Sequence, residues 1–171
     1  SSSSAPKEVS KLAEPTKVAE GGCACGQVRY RLHQAPLFVH CCHCTRCQRE
    51  SGTAFVTHAV IERQNLSWSG ETIARSVPTD SKTRHEIVHC AECLTALWGQ
   101  HGRQPSVTVY LKVGTLDSPR QFPSMAHIFI RSKLPWVVLG DAMAKFSGYY
   151  DSSKVWPSES LTRYARARGS R

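Results

Sequence analysis

Seven of the eight cysteines fall into three short clusters: Cys23-Ala24-Cys25, Cys42-His43-Cys44-Thr45-Arg46-Cys47 and Cys90-Ala91-Glu92-Cys93. At such spacings a backbone turn aims two thiolates at one ion, so residue type and grouping together point to zinc. Two pairs and one trio divide the donors into four and three. A structural zinc takes four protein ligands, whereas a zinc that takes part in chemistry keeps one position open. Function is therefore expected at the three-cysteine cluster.

Two other readings of the cysteines fit less well. A disulfide framework belongs to an oxidising compartment and usually to a small secreted domain; this chain has 171 residues and opens without an apolar segment of signal-peptide type. Inert buried thiols would be scattered rather than clustered. Clustered free thiols need bound metal or a reducing environment, which makes the cytoplasm the expected location. No run approaches the roughly 20 apolar residues that cross a bilayer. The 22 Lys and Arg against 13 Asp and Glu give a net charge of +9, which favours anionic partners without choosing among them. Part of that excess is a C-terminal run, Arg163, Arg166, Arg168 and Arg171, read as a solvated tail.

The elements that must position the cysteines are mostly strands. Residues 1–20 begin with four serines, carry little apolar patterning and are expected to be disordered. Residues 21–150 are expected to form the zinc domain, and residues 151–171 a C-terminal extension with a short helix and a basic tail. Val28, Tyr30 and Leu32 alternate with arginines, and Val107, Val109, Leu111 and Val113 alternate with Thr108, Tyr110 and Lys112, as strands with one buried face do. Residues 55–61, 73–77, 84–89 and 94–98 read as further strands. Helix is expected only over 44–50, where a turn would swing Cys47 back toward the first two thiols, and after Pro157, with Ser158 as its cap. A zinc shared by Cys25 and Cys90 would clamp the domain's first turn to its middle.

The ordered motifs Gly21-Gly22-Cys23-Ala24-Cys25-Gly26, Cys42-His43-Cys44-Thr45-Arg46-Cys47, Cys90-Ala91-Glu92-Cys93, Gly114-Thr115-Leu116-Asp117, His127-Ile128-Phe129 and Ser132-Lys133-Leu134-Pro135-Trp136 resemble the glutathione-dependent formaldehyde-activating enzyme family. The centromere protein V domain is that family's other named branch. The resemblance implies an all-β fold similar to the Mss4-like β-tent, with stacked antiparallel sheets, little helix and two zinc sites. It implies a structural zinc on Cys23, Cys25, Cys90 and Cys93, and a catalytic zinc on Cys42, Cys44 and Cys47. The implied activity is that of a carbon-sulfur lyase joining glutathione and formaldehyde, as in S-(hydroxymethyl)glutathione synthase. Fold transfers more safely than substrate, and a zinc enzyme acting on another thiol, imine or carbonyl compound fits the same motifs. Cys41 departs from the pattern and is read as a small buried side chain.

Three thiolates would leave a divalent zinc with a net negative charge and weak Lewis acidity, so a hydrolytic zinc hydroxide is disfavoured. A soft open position suits a substrate thiol that then attacks an aldehyde carbon. The helpers are less constrained. His127 is the preferred pocket histidine and catalytic candidate, with an ordinary hydrogen-bonded histidine as the alternative. Strand-like alternation turns His43 away from the metal. Trp136 reads as core first and as a pocket floor second. Arg46, Arg49 and Lys133 are candidates for substrate carboxylates or are solvated charges. Glu50, Glu92 and Asp117 show no acid/base pairing, and Asp117 reads as turn chemistry. A glutathione carrier without catalysis would show the same ligand pattern. A nucleic-acid-binding module is disfavoured, because no Cys/His finger with a recognition helix is present and aromatics are not interleaved with the basic run.

Overall fold

The computed structural model describes residues 19–77, 84–102, 106–140 and 142–170. Along these run eleven strands, β1 (Ala19–Gly22), β2 (Arg29–Leu32), β3 (Phe38–Cys42), β4 (Val56–Glu62), β5 (Leu66–Ser69), β6 (Thr72–Val77), β7 (His85–Cys90), β8 (Ala96–His101), β9 (Thr108–Lys112), β10 (Ala126–Ile128) and β11 (Ala144–Lys145). Three α-helices accompany them: α1 (Thr45–Ser51), α2 (Ser152–Val155) and α3 (Ser158–Gly169). The protein is thus mostly sheet. The strands form a three-stranded sheet, β1-β2-β5, and an eight-stranded sheet, β11-β10-β3-β4-β9-β8-β7-β6. Pairing is antiparallel except where β10 runs parallel to β3 and β11. No described helix is long and apolar enough to cross a membrane.

The large sheet buries both faces, which explains a strand that alternation misses. All five residues of β3 are buried. Val39 joins a core with Ala59, Ile61, Trp98, Val109 and Leu111, closed on its far side by Tyr30, Leu32 and Leu66 of the small sheet. Phe38 and Cys42 turn to the opposite face, into a second core with Val60, Ala126, Ile128, Tyr150 and Trp156. A strand covered on both sides has no polar face to reveal its period.

Three expectations change. The disorder expected through Glu20 does not extend to Ala19 and Glu20, which pair with Leu32 and Arg31; residues 1–18, on which the rest of that expectation falls, lie outside the described residues. Ser158 does not cap α3: the cap position is Pro157, which offers no side-chain acceptor. The C-terminal extension is integral rather than appended, since the Ser160 hydroxyl donates to the Leu37 carbonyl at 2.7 Å and Leu161 and Tyr164 pack on the second core.

Arg163 is correspondingly no tail residue. Its guanidinium forks onto the carboxylate of Glu62 at 2.9 and 2.7 Å and also donates to the Ala35 carbonyl at 2.8 Å. The Glu62 side chain is 2% exposed, so it depends on this partner. Arg163→Ala is expected to lower stability by about 3 kcal/mol, the usual cost of stranding a buried charge. The midpoint of urea unfolding checks it, and a Glu62→Leu background should recover much of the loss.

Candidate active site

The first sulfur group is assembled by two turns. Between β1 and β2 the chain reverses at Gly26, whose φ of +80° suits glycine, and the Val28 N–H donates to Cys23 Sγ at 3.2 Å. Cys90 ends β7 and Cys93 lies in the turn to β8, closed by Leu94 N–H on the Cys90 carbonyl at 3.1 Å. Thr95 ties the two turns together: its hydroxyl contacts Cys93 Sγ at 3.1 Å and accepts from Ala24 N–H at 3.1 Å. The sulfurs of Cys23, Cys25, Cys90 and Cys93 consequently lie within 4.8 Å of one another, an arrangement that could hold a metal ion.

The second group forms where β3 gives way to α1. Cys44 caps α1, its sulfur accepting from Cys47 N–H at 3.3 Å, and one helical turn brings Cys47 back beside Cys42. These three sulfurs also lie within 4.8 Å of one another and could hold an ion. Gln48 fixes the helix from its other side by donating to the His43 and Ser132 carbonyls, both at 2.9 Å. Thiols this close compete for their protons. Hydrogen bonds from Cys42 and then Cys47 hold the Cys44 thiol well down, whereas the bond to Cys44 is the main influence pushing Cys42 up.

The trio opens onto a cavity of about 650 Å³ on the outer face of the large sheet. Register decides what else faces it, because paired residues on adjacent strands project to the same side. His40 on β3 stands opposite His58 on β4, and His58 opposite Lys112 on β9; Ile87 faces Gly99, and His85 faces His101, across β7 and β8. All of these line the cavity, as do Tyr110, Tyr149, Arg131 and, from α1, Arg46 and Glu50. Phe129 at the rim adopts a left-handed backbone, φ 55°, and its N–H donates to the Gly148 carbonyl at 3.0 Å.

The cavity histidines are held neutral. Burial lowers His40 to about 4 and His58 well below its ordinary value; burial, then His101 and Arg46, lower His85 to about 3. The unfolded chain takes up protons near pH 6.5, where the native state does not, so this contribution is complete above pH 6.5 and is lost as pH falls through the folded values. Unfolding midpoints should fall steadily below pH 6.5, and His85→Phe should flatten that slope.

The model of the glutathione-dependent formaldehyde-activating enzyme family matches residues 18–132. The chain belongs to that family. A Halomonas elongata protein described provisionally as a glutathione-dependent formaldehyde-activating enzyme is 29% identical over 151 residues, covering 78% of this chain and 90% of its own. A crystal structure of a Rhodobacter sphaeroides protein superposes with a TM-score of 0.43 at 15% identity, over 74% of this chain and 98% of that one.

Within the family's matched span lie both sulfur groups and His127, but His127 does not line the cavity. It pairs in register with Cys41, so it shares the face of Cys41 rather than that of Cys42, and its ring is 5% exposed. There its Nδ1 meets Nε2 of the fully buried His43 at 2.8 Å, which corrects its reading as the pocket histidine. Cys41 is the small buried side chain expected, 3.3 Å from the Thr57 hydroxyl. Trp136 is neither core nor pocket floor: it is 71% exposed, on a turn where Lys133 Nζ caps the Leu134 and Val137 carbonyls at 2.9 and 2.7 Å. Of the three candidate cations only Arg46 lines the cavity. Asp117 is salt-bridged to Arg29 rather than serving a turn alone. His40, His58, His85 and His101 were not among the expected site residues, because no spacing links them and only strand register unites them.

Proposed function

We propose that this protein joins a thiol, of which glutathione is the first choice, to formaldehyde at the cavity beside Cys42, Cys44 and Cys47, and cleaves the same adduct in reverse. One observation carries the reading: three sulfurs close enough to share an ion form part of the wall of a cavity that also contains Arg46, Lys112 and Arg131. Zinc fits both donor sets, because soft thiolates select it and four-plus-three is its division into structural and open sites. Held by the trio, zinc would supply a soft cationic acceptor that favours the deprotonated form of the substrate thiol.

The chain's own residues do the remainder. Arg46 and Arg131 offer forked donors suited to the carboxylates of an acidic thiol, while the charge of Lys112 is partly met by Glu50 at 3.6 Å. His40 is oriented from behind, its Nδ1 bonded to the Tyr150 hydroxyl at 2.9 Å, and that hydroxyl accepts from Trp156 Nε1 at 3.0 Å. Its remaining ring edge is thereby turned toward the cavity. Holding both reactants in one enclosure converts a two-body encounter into a positioned one.

Thiols add to formaldehyde unaided, so the test must exceed that background. With zinc-replete protein, glutathione should give binding heat by calorimetry, and formaldehyde consumption followed by NMR should outpace the protein-free rate. No glutathione heat together with an unchanged rate would sink the proposal.

A further inference from the structure

One acid in the cavity is left incomplete. Glu50 Oε1 is buried and has no hydrogen-bond partner, and His85 Nε2 stands 3.8 Å from it. The other oxygen, Oε2, faces Lys112 Nζ at 3.6 Å. A separation of 3.8 Å is too long for a direct hydrogen bond, yet one atom lying to the side of the line between them can come within hydrogen-bond reach of both.

The chemistry of that atom follows from the proton on His85. Arg46 Nη1 lies 3.5 Å from His85 Nδ1, and a guanidinium only donates, so this neighbour favours the tautomer with a lone pair on Nδ1. His101 Nδ1 is 2.9 Å from the same atom and is its donor in that tautomer. In that tautomer a neutral His85 carries its proton on Nε2, and burial, followed by the charges of His101 and Arg46, keeps the ring neutral. The gap is thus bounded by an N–H that donates and a carboxylate oxygen that accepts. A hydroxyl satisfies both; a carbonyl or carboxylate cannot donate, and an ammonium cannot accept.

We propose that Glu50 Oε1 and His85 Nε2 form the subsite for the hydroxyl oxygen of a hydroxymethyl thioether, an assignment that rests on the thiol-aldehyde reading above and identifies where its oxygen sits. In addition, the S–H bond and the C=O π bond break while the C–S and O–H bonds form. Glu50 takes the proton from sulfur and returns it to oxygen, so no proton is gained or lost overall. His85 donates to the oxygen as negative charge develops on it, and Arg46 and His101 are positioning residues that fix its tautomer. Cleavage reverses each step.

The test compares binding of S-methylglutathione with that of the hydroxymethyl adduct formed in situ from glutathione and excess formaldehyde. The wild-type protein should prefer the hydroxylated compound by roughly ten- to hundredfold, as expected for hydrogen bonds to a charged group. Glu50→Gln and His85→Phe should each sharply reduce that preference while leaving S-methylglutathione affinity in place, because the introduced amide turns its oxygen to Lys112 and leaves the substrate O–H without its charged acceptor, and a phenyl ring cannot donate. Equal affinities in the wild type, or a preference that survives both variants, would mean the gap holds an ordered water only and would overturn the assignment. Nitrogen-15 NMR of the histidine rings decides independently of any ligand: Nε2 protonated and Nδ1 bare on His85 supports the subsite, and the opposite tautomer removes it. Should neither glutathione compound bind, the glutathione reading fails, and the subsite stands or falls on that tautomer.

Discussion

Cys90→Ser is expected to unfold the domain at ordinary temperature. Cys90 is fully buried in the first core, at the end of β7, with its N–H on the Thr95 carbonyl at 3.0 Å and its carbonyl accepting from Leu94. Its sulfur lies 3.8 Å from that of Cys25, so it joins the turn after β1 to the middle of the chain. A structural zinc contributes on the order of 10 kcal/mol where folding and metal binding are coupled, and a domain of this size is stable by about 5–15 kcal/mol in total. Weakening one of four ligands therefore removes a large fraction of the net stability. Serine also puts a hydroxyl into a pocket shaped for sulfur. Circular dichroism melting, with metal content per chain measured alongside, should show an unfolded or very low-melting protein that retains little zinc. A well-folded variant with its metal complement intact would mean that the four sulfurs do not bind a structural ion.

The two cysteine pairs and the trio were legible in the sequence because a turn two or three residues long sets each of them and turn length is visible as spacing; the meeting of Cys23 and Cys25 with Cys90 and Cys93 was implied only by the family resemblance. The rest of the cavity was not, because strand register sets it. His40, His58 and Lys112 share a face only after β3, β4 and β9 pair, and His85 meets His101 only across β7 and β8. The position of His127 failed for the same reason. Its neighbours Ala126 and Ile128 go to the second core, and the two-residue period of a strand sends His127 to the other side.

The fold follows a similar division. β2 and β9 each alternate buried and more exposed residues, and the sequence pattern shows it. β3 hides its period by being buried throughout, and β10 and β11, of three and two residues, are too short to display one. The run Trp136-Val137-Val138-Leu139 has the composition of a core strand, yet Val138 is 93% exposed. Hydrophobicity there is spent on a turn that local hydrogen bonds close, so composition pointed to the wrong environment. The C-terminal helix was visible from its pattern, but its attachment was not. Arg163 reads as one more basic residue until Glu62, about a hundred positions earlier, is found waiting beneath it.

Cys44→Ser is expected to act in the opposite way from Cys90→Ser, leaving the fold and removing the chemistry. Cys44 is only partly buried, and its structural task is to cap α1 through a sulfur that accepts from Cys47 N–H. Serine is among the preferred residues at a helix cap, so that task is kept and the melting temperature should hardly move. A hydroxyl is a poor donor to a soft ion, however, and two remaining thiolates are a weak site. Activity should fall by more than about 100-fold, since even changes to groups that merely support a ligand cost about 10- to 100-fold. Metal analysis should show one zinc lost per chain, with the four-sulfur site still filled. The pair of variants separates the two sites because one stability measurement and one rate must respond in opposite proportions. If both variants only slowed turnover and both melted like the wild type, neither sulfur group would be structural and the division into a closed and an open site would fail.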